Sequence, residues 1–84
     1  MSEVKFVSMF INHDNEPMVV SMASRDKATK TYEVYTRSKG WHRITRKEIL
    51  AMEEVLPSPA CTEFMESLVD DGIIFRRWQY QIML

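Results

Sequence analysis

Three side chains in this 84-residue chain could supply nucleophilic or metal chemistry: Cys61, His13 and His42. A thiol becomes a nucleophile when a base removes its proton, and imidazole is the usual base. Cys61 follows Ser58 and Pro59, a cap and first-turn pair, so it falls at a predicted helix start, where an exposed thiol is acidified. The spacing does not suit a metal. His13 and His42 are 29 residues apart and Cys61 lies 19 further on, whereas zinc ligands come in close pairs. No metal and no cofactor are therefore expected. The competing reading of Cys61 is a small buried side chain, and it predicts no catalytic residue.

Carboxylates are the next chemistry-bearing groups. From Glu48 to Gly72 there are seven acids and no Lys or Arg. Paired carboxylates can bind a divalent ion or do acid–base work, but no Gly-rich phosphate loop or nucleophile motif accompanies these. Glu53, Glu54, Glu63 and Glu66 are read instead as an acidic face toward a basic protein partner. Trp78 and Tyr80 are the aromatic anchors such an interface would use. Their alternation along an apolar segment suits a plain core equally well.

The opposite charge is just as sorted. Between Arg25 and Lys47 there are eight basic residues against Asp26 and Glu33. Arg37, Lys39, Trp41, His42, Arg43, Arg46 and Lys47 interleave cations with a ring, a pattern that suits nucleic acid because cations neutralise phosphates while rings stack on bases. The pI near 6.1 argues against it. Ser67 to Arg77 resembles the end of a winged-helix recognition helix passing through an Asp-Gly-apolar turn into a wing. That resemblance would imply nucleic-acid binding. A winged-helix domain, however, places its helical bundle first, and here predicted strands come first, so the segment is read as a helix-to-strand turn.

The elements that must position these groups follow from periodicity and punctuation. Residues 4–11 and 18–23 are apolar and β-branched, separated by a polar cluster with turn chemistry, and predict a hairpin. Residues 31–37 alternate, with Tyr32 and Val34 on one face. Ser38-Lys39-Gly40 turns the chain into a short strand over 41–44. Thr45-Arg46-Lys47-Glu48 is a capping box, with Ile44 and Ile49 placed to staple it. The helix it starts should end before Pro57, and a second should start at Ser58-Pro59 with Gly72 as its C-terminal stop. The connection is so short that the helices should form an antiparallel hairpin, returning Asp70 and Asp71 beside Arg46 and Lys47. Residues 73–83 read as one strand.

The expected fold is thus α+β in one domain, 1–84. An antiparallel meander of three or four strands (4–44) precedes a helical hairpin (46–70) on one face, and a C-terminal strand returns to the sheet. With 45% hydrophobic residues the chain is not disordered. No signal-peptide pattern and no membrane-length apolar run is visible, which predicts a soluble cytoplasmic domain with no membrane partner. The expected function is a small non-enzymatic interaction protein, a regulator or inhibitor of a larger protein, in the manner of small phage- or mobile-element-encoded inhibitors. Nucleic-acid binding through residues 37–47 is the alternative, and the apolar C-terminal strand invites a homodimer.

Overall fold

The computed structural model describes residues 4–83. The fold is α+β, a mixed six-stranded sheet with two α-helices. Strand β1 (Phe6–Ile11) turns back into β2 (Pro17–Ser21). The turn is built by Asn12, whose side-chain oxygen accepts from the amides of Asp14 and Glu16 at 3.0 and 2.9 Å. Asn15 supplies the positive φ of 60°. A 3-10 turn and a polar connection lead to β3 (Thr31–Thr36) and β4 (Gly40–Thr45), a regular antiparallel hairpin in which Thr31 faces Thr45 and Tyr35 faces Trp41.

Helix α1 (Arg46–Leu50) begins at the expected capping box: Thr45 Oγ1 accepts from the Glu48 amide, and Glu48 Oε1 accepts from the Thr45 amide, both at 3.1 Å. It then stops far short of Pro57. Residues Glu53–Val55 form strand β5, antiparallel to β1. Helix α2 (Pro59–Asp70) is capped by Ser58 Oγ, which accepts from the Cys61 amide at 3.2 Å. It ends in a Schellman arrangement, with the Ile73 amide reaching Leu68 O and the Gly72 amide reaching Val69 O. Gly72 takes the left-handed φ of 74° that this ending requires.

Two expectations are corrected here. No helical hairpin forms: Ile49 of α1 belongs to one core cluster and Cys61, Met65, Leu68 and Val69 of α2 to the other, so the helices lie on opposite faces of the sheet. Asp71 consequently pairs with Arg37 at 2.6 Å rather than with Arg46 or Lys47. The C-terminal segment does return to the sheet, but only Gln79–Tyr80 forms a strand, β6, and it runs parallel to β1. The sheet is therefore mixed, in the order β4-β3-β2-β1-β5, with β6 also against β1.

The physical reason lies in β1. With β2 on one side, its other edge must find partners for buried backbone groups. Glu53–Val55 serves Met9 to Ile11, and residues 79–81 serve the start of the strand through Gln79 N to Lys5 O and Gln81 N to Val7 O, both 2.7 Å. Alternation along β1 then divides the core. Val7 and Met9 pack with Val19 under α2, while Phe10 packs with Met18, Val20, Tyr32, Val34 and Met83 over Ile49. No helix among the described residues is long and apolar enough to cross a membrane.

Burial should set how much each side chain contributes to stability. Leu68 is fully buried, so Leu68→Ala is expected to cost about 2–5 kcal/mol in chemical denaturation. Leu56→Ala, at a side chain 57% exposed, should stay within about 0.5 kcal/mol.

Candidate functional site: a cationic groove between the β2–β3 connection and helix α1

The β2–β3 connection carries Arg25, Lys27 and Lys30, and the β4–α1 junction carries Arg46 and Lys47. Hairpin register brings them together. Because Thr31 faces Thr45, the residues just outside the pair, Lys30 and Arg46, are neighbours, and the Arg46 amide donates to Lys30 O at 2.9 Å. Between these walls lies an open groove of about 840 Å³, lined also by Thr29, Tyr32, Thr45, Leu50 and Ala51. Five of its ten lining residues are Lys or Arg and none is acidic.

The walls are fixed by polar contacts that, apart from those of Arg46, do not use the side chains of the groove cations. Asp26 Oδ1 accepts from the Ala28 and Thr29 amides at 2.9 and 3.1 Å, folding the connection into a tight turn. The Thr29 and Ala28 amides, in that order, hold this carboxyl below its usual range. Arg43 straps the connection to the hairpin, donating from Nε to Thr31 Oγ1 at 3.0 Å and from Nη2 to Ser24 O at 2.6 Å. Glu48 is likewise held low, chiefly by the Thr45 amide, within the capping box. The two acids nearest the cations in sequence thus remain charged and spent on backbone. Arg46 Nη1 donates to the buried Tyr32 hydroxyl at 3.3 Å, while Arg25, Lys27, Lys30 and Lys47 are exposed.

Of the basic hairpin read from the sequence, only Arg46 and Lys47 line the groove. Arg37 is taken by Asp71 and sits 3.4 Å from Ser67 Oγ, on the α2 face. Lys39 lies in the β3–β4 turn, where its amide donates to Thr36 Oγ1. Trp41 packs on Tyr35 with ring centroids 5.5 Å apart, against the α2-side cluster. Its indole Nε1 is buried without a hydrogen-bond partner. His42 Nδ1 lies 2.9 Å from Gly40 O, and Arg43 serves as the strap. Arg25, Lys27 and Lys30 line the groove too but are not among the site residues expected from the sequence. The register of the β3–β4 hairpin was the signal that could have placed Lys30 beside Arg46.

The acidic and aromatic candidates meet one another. Glu66 Oε2 accepts from Trp78 Nε1 at 2.9 Å. The Tyr80 hydroxyl donates to Val55 O at 2.5 Å with Glu54 Oε2 3.2 Å away, and the same Glu54 oxygen accepts from the Met83 amide at 3.0 Å. Glu54 therefore clasps the C-terminal segment to β5. Glu53 and Glu63 are exposed. Cys61 is buried against the α2-side core, and burial pushes its thiol up, opposite to an activated nucleophile. Among the described residues no group of three or more His, Cys, Asp or Glu is placed to hold a metal ion. Comparison with family models, curated proteins and solved structures finds no match to this chain.

Cys61 and Tyr80 each give an expected outcome. Iodoacetamide should leave Cys61 unmodified in the native state and alkylate it rapidly in denaturant, as followed by intact mass. Tyr80 is pushed up to about 12, first by burial and then by the facing Glu54 carboxylate. The unfolded chain ionises it near its ordinary 10.0, so the folded state retains the proton longer and the stability this gives is lost between about pH 10 and 12. Glu54→Gln should move the ultraviolet phenolate titration of Tyr80 downward and speed hydrogen exchange at the Met83 amide.

Proposed function

We propose that this chain is a non-enzymatic binding protein that regulates a larger partner by docking a polyanionic part of it in the groove between the β2–β3 connection and α1. The observation that carries this reading is the charge of the groove: five cations, converging from the two segments that flank the β3–β4 hairpin, with no carboxylate among the lining residues. Such a concave, one-signed surface concentrates field and speeds the capture of an oppositely charged partner. The acids and rings first read as an interface contribute less to it, because Glu54, Glu66, Trp78 and Tyr80 are engaged with one another. The interaction surface is thus basic rather than acidic in this proposal. Nucleic acid is the second reading, favoured by Arg46 and Lys47 of the basic hairpin lying in the same groove.

Charge reversal tests the role of the groove against net charge alone. Lys27→Glu/Lys30→Glu and Arg76→Glu/Arg77→Glu alter the formal charge equally, but only the first pair lines the groove. On an immobilised polyglutamate column the wild type should be retained at low salt, and the first variant should elute at distinctly lower salt than the second. Co-elution of the two variants, or no retention of wild type, would refute the proposal.

A further inference from the structure

We infer that the polyanion is an acidic peptide segment of a partner protein, with one apolar side chain of that segment resting on Leu50 and Ala51 and its carboxylates on the lysine–arginine rim. This rests on the groove reading above and narrows it to one class of partner.

The lining separates into two chemistries. The rim is cationic, supplied by Arg25, Lys27 and Lys30 on one side and Arg46 and Lys47 on the other. The α1 side of the lining also carries aliphatic surface: Leu50 is 38% exposed, one of few large apolar side chains open to solvent among the described residues, and Ala51 beside it is exposed too. An acidic segment carrying one apolar residue matches both at once, with charge for steering and an anchor for burial. The volume of about 840 Å³ accommodates an anchor and its neighbours.

Nucleic acid matches only the rim. Single strands gain much of their affinity by stacking bases on exposed rings. The one ring in the groove belongs to Tyr32, which is buried with its hydroxyl already accepting from Arg46. The rings of Tyr35 and Trp41 pack together on the opposite, α2-covered face. A phosphate backbone would therefore leave Leu50 and Ala51 unmatched.

The test is unbiased as to sequence. Short random peptides are displayed and panned against immobilised wild-type protein, and the recovered peptides are titrated by fluorescence anisotropy. The expected peptides are rich in Asp and Glu around a Leu, Ile, Met or Phe. Their affinity should fall about tenfold or more in Lys27→Glu/Lys30→Glu and several-fold in Leu50→Ser, with circular dichroism and the denaturation midpoint used to confirm that each variant is folded. Recovery of no binders, of peptides without excess acid, or of peptides indifferent to Leu50→Ser would overturn the inference. Mixed-sequence duplex DNA or single-stranded RNA binding more tightly than the peptides, and lost in Lys27→Glu/Lys30→Glu, would overturn the peptide assignment and leave the groove reading standing. An equal loss in Arg76→Glu/Arg77→Glu would overturn both.

Discussion

The second edge of β1, the one away from β2, is the constraint on which this fold turns. A strand in the middle of a sheet cannot leave its amides and carbonyls unpaired, and β1 has β2 on one side only. Its other edge is shared by two short strands of opposite direction, β5 beside Met9 to Ile11 and β6 beside Phe6 and Val7. That need takes Glu53–Val55 out of the helical run and draws residues 79–81 in from the far end of the sequence. It also leaves α1 and α2 on opposite faces, so that a sheet only five strands wide is covered on both sides.

What could be read from the sequence is what local chemistry determines. The capping box at Thr45 and Glu48, the Ser58 cap, the glycine ending of α2 and the β3–β4 hairpin are set by side chains within a few residues of the backbone they satisfy. Ile44 and Ile49, the staple pair, do meet in one cluster. The path after Leu50 was not legible, because Glu-Glu-Val is a better helix than strand by its own preferences and becomes a strand only through a partner some forty residues earlier. The same limit applied to the groove. Arg46 and Lys47 stood out, while Arg25, Lys27 and Lys30 acquire their meaning only from the register that sets Thr31 opposite Thr45.

The sorted charges now divide by use. Glu16 accepts from the Ser38 amide and hydroxyl and ties the β1–β2 turn to the β3–β4 turn. Asp26 shapes a connection, Glu48 caps a helix, Glu54 clasps a terminal segment, Glu66 meets an indole and Asp71 meets Arg37. The Arg37–Asp71 pair, with side chains 43% and 52% exposed, adds little stability, about 0–1 kcal/mol. Six acids of the described residues thus have structural partners, and the cations between Arg25 and Lys47 are left in excess where the two segments converge.

The parallel pairing of β6 with β1 joins Val7 to Tyr80, nearly the full span of the sequence. The β1–β2 and β3–β4 hairpins close short loops, whereas this contact must close a very long one, and long closures come late because their entropy is lost before their contacts form. On the ribosome, β1 therefore waits with one half of an edge open until residues 73–83 have emerged. An open edge of that kind is where a nascent chain pairs wrongly with its neighbours. The late-docking segment closes it with little regular structure: two strand residues, the Glu54 carboxylate and the buried Met83. The edge of β1 is thus complete only once residues 79–81 have reached it.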